Sequence, residues 1–330
     1  MTPDARPGRL GVGVVGAGRV GAVLGAALRA AGHPVVAVSA MSPASRDRAD
    51  ALLPGVPVLD VPEVVRRAEL VLLAVPDDAL ADLVAGLAAT GAWQAGQLVV
   101  HTSGRFGVGV LEPARAAGAI PLAVHPAMTF TGTSLDLARL EGAAFAVTAA
   151  TVVLPIAQAL VVEIGGEPVV VAEADRPLYH AALAHGANHL VVLVAQAAQA
   201  LAAAGVEDPG RVLRPLLEAA LDGALRAASH AGGPGAVTAL TGPVRRGDAG
   251  TVRQHLASLA SLGADAGALD VVAGYRALAR AATARALAAG LIGPAAAQQL
   301  LDELVPGRGA GGMGGTGGTD GQHDAPGGGA

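Results

Sequence analysis

Short apolar runs rich in β-branched residues alternate with helical stretches through the first half of the chain. They predict seven strands, over residues 10–15, 34–39, 70–75, 98–101, 120–124, 143–148 and 168–171. Strands that are apolar throughout and alternate with helices are typical of a parallel sheet covered on both faces. We therefore predict an α/β, doubly wound domain over residues 10–172.

After residue 175 the strand signals stop, and long amphipathic patterns follow. They predict helices over residues 177–204, 210–229, 249–262, 265–290 and 294–304. The pattern thus indicates an all-helical C-terminal domain over residues 173–305. We expect residues 1–9 to form a flexible arm. Residues 306–330 are rich in glycine and poor in apolar side chains, so we expect a disordered tail.

A glycine motif at residues 16–21 follows the first predicted strand and opens the first predicted helix. In such a motif the first glycine allows a tight turn, the second admits a pyrophosphate, and the third lets the helix pack closely on the strand. The helix N-terminus then faces the phosphates. This predicts a Rossmann domain that binds a dinucleotide through Gly16, Gly18, Arg19, Val20 and Gly21.

The end of the second predicted strand indicates which dinucleotide is bound. NAD-preferring domains usually carry an acid there for the ribose hydroxyls, whereas this chain has Ser39. Ser42, Ser45 and Arg46 follow, and this set suits a 2′-phosphate. We expect Ser39 and Arg46 to bind NADP (NADPH), with NAD the less favoured cofactor.

Other candidate site residues end the next strands, because ligands of such sheets bind at the carboxyl ends. Val75 and Pro76 should line the dinucleotide. Ser103 should hydrogen-bond the cofactor amide or a substrate carboxylate, and it lacks the Gly-x-Ser-x-Gly context of a hydrolase nucleophile. His125 ends the fifth predicted strand and is either a site residue or a structural histidine.

The helical region contributes three further candidates. His180 and Asn188 lie two turns apart on the first long helix and could touch different parts of one ligand. Arg246, in a loop between helices, could bind an anionic small-molecule substrate. His185 and His189 have metal-ligand spacing without a third ligand, so we expect no metal site.

Composition and charge exclude several classes of function and reaction. The net charge is −5, with no basic stripe, which argues against nucleic-acid binding. No apolar run is long and clean enough for a membrane span, and no signal pattern precedes the glycine motif, so a cytoplasmic location is expected. The chain has no cysteine and no lysine. Thiol chemistry, Walker-type phosphate loops and lysine acids are therefore excluded.

Taken in order along the chain, these motifs resemble those of a bacterial family that joins a Rossmann-like domain to a helical domain of formerly unknown function. The matching segments are residues 16–21, Val75-Pro76-Asp77-Asp78, His101-Thr102-Ser103-Gly104, His125-Pro126 with Phe130, Tyr179-His180 with Asn188, and Leu240-Thr241-Gly242-Pro243 with Arg246-Gly247-Asp248.

That family is similar to the β-hydroxyacid dehydrogenase, pyrroline-carboxylate reductase and ketopantoate reductase group. The resemblance implies an NADPH-dependent reductase, and some members are thought to reduce ketopantoate in pantothenate synthesis. Family members commonly have arginine in the ribose loop, where this chain has Ala40 and Met41, so Arg46 or Arg48 would have to substitute. The lysine of related enzymes is replaced by Ala184.

Ketone reduction needs a proton donor, and histidine titrates close to neutrality. We expect His180 to supply the proton while Asn188 orients the substrate oxygen, and His125 is the second candidate. The leading interpretation is a reductase of a small 2-oxo acid, such as ketopantoate. A prephenate-type dehydrogenase and a non-catalytic dinucleotide sensor remain alternatives. The apolar helices also predict a homodimer.

Overall fold

The computed structural model describes residues 9–229, 235–266 and 268–306. Most of the expected N-terminal arm and C-terminal tail lie outside these residues. The chain divides into two compact units, residues 1–187 and 188–330, and each is described by itself. The division falls inside one long helix, α8 (Arg176–Ala203), which begins in the first unit and continues in the second.

The first unit is built on one seven-stranded sheet in the order β2-β1-β3-β4-β5-β6-β7. Its strands are β1 (Val12–Val15), β2 (Val35–Ser39), β3 (Leu70–Leu73), β4 (Leu98–His101), β5 (Ile120–Pro126), β6 (Ala144–Thr148) and β7 (Glu167–Val170). The order reverses at β1, which pairs in parallel with both β2 and β3. A crevice for ligands opens at the carboxyl ends beside such a reversal.

Helices cover both faces of this sheet. They are α1 (Arg19–Ala30), α2 (Pro43–Leu52), α3 (Val61–Arg67), α4 (Asp77–Ala89), α5 (Glu112–Ala116), α6 (Leu135–Arg139) and α7 (Leu154–Glu163). Two separate apolar clusters fill the space between the helices and the sheet, one containing Val14 and Phe145 and the other containing Val71 and Trp93. The predicted doubly wound fold is therefore confirmed.

One strand direction differs from the expected parallel sheet. β6 pairs antiparallel with β5, with Ala123 opposite Thr148, while β7 is parallel to β6. A strand that is apolar on both faces has the same sequence pattern in either direction, so the pattern did not contain this information. The reversal matters for the site, because it brings the end of β6 to the middle of β5.

The second unit consists of helices among its described residues, as predicted. Beyond α8 they are α9 (Pro209–Ala228), α10 (Gly242–Arg246), α11 (Ala249–Ala266), α12 (Leu269–Ala288) and α13 (Pro294–Glu303). Val252, Leu256, Leu300 and Leu304 form the centre of its small core. Several apolar side chains of α8 and α9 stay exposed in the single chain.

Helix α8 has the predicted length, but the segment that contains it is more apolar than the sequence analysis allowed. By length and mean hydropathy alone, residues Glu173–Ala203 would suffice to cross a membrane. The same segment carries His180, Asn188 and Gln196, and its first residues pack on the sheet of the first unit. Length and composition are therefore weak grounds for a membrane span.

Candidate functional site

The glycine motif forms the turn between β1 and α1, and each glycine has a distinct steric role. Gly16 has a positive φ of 96°, and a side chain there would meet the carbonyl oxygen of Ala74. A side chain on Gly21 would collide with the backbone of Gly16. These two positions therefore need glycine for the turn and for close packing of helix on strand.

Gly18 differs from its neighbours, because a Cβ atom there would meet no atom within 4 Å. It is the N-cap of α1 and makes no side-chain cap, so the first turn of the helix points its N–H groups at open space. A helix N-terminus with room beside it suits an anionic group such as a pyrophosphate. The residues present thus fit a dinucleotide.

Ser39, at the end of β2, supports this turn directly. It is 5% exposed, and its Oγ accepts a hydrogen bond from the N–H of Gly16 at 3.0 Å. The hydroxyl thereby fixes the first glycine, and one hydroxyl proton remains for a ligand. The next two serines, Ser42 and Ser45, hydrogen-bond to each other. Ser42 is the N-cap of α2, and the two residues form a reciprocal capping box.

A groove beyond β2 contains Ser39, Met41 and the exposed Arg46. The Nε of Arg46 donates a long hydrogen bond of 3.4 Å to the carbonyl of Ala40, which leaves the terminal nitrogens available. The groove also contains two acids. Asp60 caps α3, and Glu63 pairs with Arg66 and Arg67, which hold the pKa of its carboxyl below the ordinary value.

The remaining predicted cofactor residues border the same turn. Val75 is half-buried beside Gly16, and Pro76 is the N-cap of α4. The exposed Arg19 opens α1, and a side chain on Gly132 would meet both Arg19 and Arg48. Buried Asp136 holds this loop by accepting from the N–H of Gly132 at 2.7 Å, and its hydrogen bonds lower the pKa of its carboxyl despite burial.

Two of the predicted catalytic histidines converge on Gly104, just past β4. A Cβ atom on Gly104 would lie 2.9 Å from Nε2 of His125 and 2.7 Å from Cδ2 of His180. The two ring centroids are 6.2 Å apart, and the rings are nearly perpendicular. Only a glycine allows both rings to approach this backbone. The site therefore lies where the first unit presents the carboxyl ends of β4 and β5.

Arg176, the first residue of α8, underlies this site and is fully buried. Its guanidinium donates to Thr148 Oγ1 at 2.8 Å and to three carbonyl oxygens, those of Ser103, Ala123 and Ala146, at 3.2, 2.8 and 3.1 Å. The antiparallel course of β6 supplies two of these four acceptors. A positive charge is thus fixed beneath the histidines.

Tyr179 connects the helix to the strand. Its hydroxyl lies 2.9 Å from Nδ1 of His125, with the two rings edge to face at 5.6 Å between centroids. Burial lowers the pKa of His125 to about 4, and the charges of Arg176 and His180 act in the same direction. Burial raises the pKa of Tyr179, and the positive charge of Arg176 offsets part of this rise. At neutral pH His125 is uncharged and Tyr179 keeps its proton.

His101 and Ser103 both make hydrogen bonds within the chain. His101 is fully buried, its Nε2–H donates to the Gly107 carbonyl at 2.8 Å, and its Nδ1 accepts from the Ser103 N–H at 3.2 Å. Burial lowers the pKa of His101 to about 4, so the ring is neutral. Ser103 is also buried, and its Oγ accepts from the Phe106 N–H. Its role toward cofactor or substrate stays a prediction.

The other two predicted site residues lie in the second unit. Asn188 begins that unit on α8. The sequence predicted a loop at Arg246, but Pro243 opens a short helix there, α10, of which Arg246 is the last residue. Arg246 is exposed at the rim of an open depression with Thr241, Gly247 and Gly293. Its neighbour Arg245 instead donates to the Leu291 carbonyl at 2.8 Å, so the two adjacent arginines have different environments. Asp248 caps α11 through Thr251.

Sequence reasoning did not assign Arg176 or Tyr179 to the site. Arg176 precedes the predicted helix by one residue, and Tyr179 enters the sequence analysis only as part of the family motif. No local signal marks Arg176, because its burial depends on where the helix packs on the sheet. Among the residues that the structure describes, no group of three or more histidines or acids could hold a metal ion.

The fold and the glycine turn define a Rossmann-type dinucleotide-binding protein with a helical C-terminal region. A family model for a Rossmann-like domain matches residues 1–126, and a model for a domain of unknown function, DUF2520, matches residues 143–282. The chain thus carries a Rossmann-like domain followed by a DUF2520 domain, which confirms the resemblance. No curated protein matches the chain in sequence.

Solved structures share this fold at low sequence identity. Protein BF3122 from Bacteroides fragilis, provisionally assigned as an NADP oxidoreductase, has a TM-score of 0.65 and 23% identity, covering 83% of this chain and 98% of its own. An imine reductase from Pseudomonas sp. has a TM-score of 0.60 and 18% identity, covering 90% and 100%. A reductive aminase from Aspergillus terreus, solved with NADPH, has a TM-score of 0.61 and 16% identity, covering 86% and 98%.

Proposed function

We propose that this protein is an NADPH-dependent oxidoreductase that reduces a small anionic carbonyl compound, in the first place a 2-oxo acid. One observation carries the proposal: His125 and His180 meet at Gly104, on the carboxyl edge of the sheet whose first turn is a dinucleotide cradle. The dinucleotide-binding turn and the two histidines thus lie on the edge where ligands of doubly wound sheets bind.

The geometry of the β2 end supports NADPH over NADH. The acids of the groove are engaged, Asp60 in a helix cap and Glu63 with two arginines, whereas Arg46 is exposed. Two solved structures of similar fold contain NADP+ or NADPH, an imine reductase from Myxococcus stipitatus and the Aspergillus enzyme. Arg46 is our choice for the 2′-phosphate, and Ser39 for the turn and the ribose.

Titration calorimetry tests this cofactor assignment. Arg46→Ala should weaken NADPH binding by roughly tenfold or more, the usual size of a lost charge-assisted hydrogen bond, and leave NADH binding unchanged. Ser39→Asp retains an acceptor for the Gly16 N–H while adding a negative charge, and should shift the preference toward NADH. Tighter binding of NADH than NADPH by the unaltered protein would refute the assignment.

NADPH, when bound, supplies the hydride. The chain must then stabilise the oxygen that gains negative charge and deliver a proton to it. Burial and the Arg176 charge keep His125 neutral at working pH, so its ring offers a hydrogen bond. We assign proton donation to the half-buried His180, whose ring borders the same space beside Gly104. The buried guanidinium of Arg176 favours an anion at this place.

A screen of NADPH oxidation over small carbonyl compounds is the direct experiment. It should include 2-oxo acids, ketopantoate among them, and matched ketones without a carboxylate. We expect turnover with a 2-oxo acid, which would make pantothenate synthesis a candidate pathway. Cyclic imines belong in the same screen, because structures of similar fold are named imine reductases. Turnover of imines alone would replace the proposed substrate class.

Two histidine variants assign the proton donor. His180→Gln should lower kcat by about 10²–10⁴, the range for loss of a general acid, with NADPH affinity retained. Near-normal turnover by His180→Gln together with loss in His125→Gln would exchange their roles. Tight NADPH binding without turnover of any substrate would instead indicate a dinucleotide sensor.

We also propose that the protein is a cytoplasmic homodimer whose interface includes α8. Leu190, Val191, Val192 and Leu193 are 39–69% exposed, and four consecutive residues point to all sides of a helix. An exposed apolar surface of this kind marks an interface with a protein or a membrane. A second copy is favoured over a membrane because the same helix carries Asn188 and Gln196, and its first residue, Arg176, is buried against the sheet.

Light scattering at micromolar concentration tests the dimer. The protein should have twice the mass of one chain, and a Val191→Asp, Val192→Asp double variant should be a monomer. Leu135→Asp is the matched control, since Leu135 is equally exposed in the first unit, at 69%. A monomeric unaltered protein, or one that sediments with lipid vesicles, would contradict the proposal.

A further inference from the structure

Tyr179 offers its hydroxyl to one nitrogen of His125, and the other nitrogen faces the space beside Gly104. The Tyr179 oxygen and His125 Nδ1 are 2.9 Å apart. The Nε2 atom lies on the opposite side of the ring, 2.9 Å from where a Cβ of Gly104 would be. Because a neutral imidazole carries one proton, the partner of Nδ1 decides whether Nε2 donates or accepts.

The surrounding charges decide the direction of this hydrogen bond. Arg176 lies near the tyrosine and carries a fixed positive charge, which favours the Tyr179 oxygen lone pairs turned toward it. The hydroxyl proton then points away from Arg176, toward Nδ1 of His125. Asp77 favours a proton on the His125 ring, while His101 and His180 oppose a second proton there.

We propose that Tyr179 is a positioning residue that holds His125 in the tautomer with its proton on Nε2, directed at the space beside Gly104. The inference deepens the proposed function and rests on it for its catalytic meaning. In this tautomer His125 donates a hydrogen bond to the substrate oxygen. His180 then remains the proton donor, so one histidine binds the substrate oxygen and the other protonates it.

The tautomer can be measured without a substrate. Nitrogen NMR on the full-length protein labelled with ¹⁵N-histidine distinguishes the ring nitrogen that carries a proton from the one that does not. At pH 7 we expect the His125 signals, assigned by their loss in His125→Gln, to show a protonated Nε2 and a bare Nδ1. In Tyr179→Phe the ring is retained but the donor is lost, and a mixture of tautomers should appear.

A second pair supplies a matched control. The Tyr275 hydroxyl lies 2.9 Å from Nδ1 of His255, with ring centroids 5.8 Å apart at 80°. Tyr275→Phe therefore breaks the same kind of bond in the other unit. With the substrate found in the screen, Tyr179→Phe should lower kcat by roughly 10- to 100-fold, with KM and NADPH affinity within about twofold. Tyr275→Phe should leave kcat unchanged.

Each outcome bears on the proposal. A protonated Nδ1 in the unaltered protein overturns it, as does a Tyr179→Phe variant whose tautomer and kcat are both normal. An equal fall of kcat in both tyrosine variants would indicate a general loss of stability and would also overturn it. The NMR result stands even if the substrate screen finds no turnover, so failure of the proposed function is distinguishable from failure of this inference.

Discussion

The two tyrosine–histidine pairs have nearly the same local geometry and very different surroundings. In the first unit, His125 and Tyr179 are half-buried, a buried guanidinium lies beside them, and Gly104 leaves space at the free ring nitrogen. In the second unit, His255 is exposed on α11 and its partner Tyr275 lies on α12. The same tyrosine–histidine contact therefore has different chemical properties in the two units.

What distinguishes the first pair is its place on the sheet. Strand ends supply the carbonyl oxygens that hold Arg176, and Arg176 in turn sets the charge around His125. The helical unit has no equivalent framework around His255 among its described residues. A site needs such a framework, because a lone hydrogen bond at a surface neither excludes water nor fixes a charge.

The largest effect should come from removing the buried charge. Arg176→Met leaves three buried carbonyl oxygens and the Thr148 hydroxyl without their donor, and should lower the free energy of unfolding by about 3–5 kcal/mol. Urea unfolding measures this. Arg115→Met, at an exposed arginine paired with Glu112, is the control and should change little. Equal stability of the two variants would show that Arg176 is not the framework of the site.

The next effect tests the close approach of the two histidine rings to Gly104. Gly104→Ala places a methyl group within 3 Å of atoms of both His125 and His180. The rings must move apart, and kcat should fall by on the order of 100-fold, since small displacements of reacting groups have effects of this size. Gly86→Ala, in open space on α4, is the control and should be neutral or slightly stabilising. Unchanged kcat in Gly104→Ala would contradict the assigned site.

A third variant asks whether the helical unit contributes to the substrate at all. If Arg246 holds the substrate carboxylate, Arg246→Ala should raise KM by roughly 10- to 100-fold, with NADPH affinity unchanged. Arg280→Ala, an exposed arginine on α12, is the comparison. Steady-state kinetics with the active 2-oxo acid measure both. An unaltered KM would assign Arg246 to structure rather than to the substrate.

The smallest effect concerns pH. The folded-state pKa values of His101 and His125 are about 4, below the ordinary value of 6.5. Between these values the unfolded chain binds protons that the folded chain does not, so stability is present above pH 6.5 and falls as the pH drops. Each histidine adds a slope of up to about 1.4 kcal/mol per pH unit. Unfolding free energies between pH 6.5 and 5 should decline, and His125→Gln should reduce the slope; a flat profile would contradict these pKa values.

Local signals explain why most of the fold was predictable. Each strand and helix arises from neighbours in the chain, and every predicted strand is present within three residues at each end. The glycine turn was equally readable, because its three steric roles fall within six consecutive residues. His125 and His180 were recognised as candidates from residue type and position at element ends.

The sequence by itself therefore determined the Rossmann sheet, the dinucleotide turn, the helical second unit and the candidate histidines. Only the tertiary structure decided the antiparallel course of β6, the burial of Arg176 and the pairing of Tyr179 with His125. These contacts join residues 28 to 73 positions apart in the chain. Periodicity reports how one segment divides between core and solvent. It does not show which distant carbonyl oxygen or ring nitrogen a side chain will contact. At this site those long-range contacts determine the charge around the histidines and the direction of each hydrogen bond.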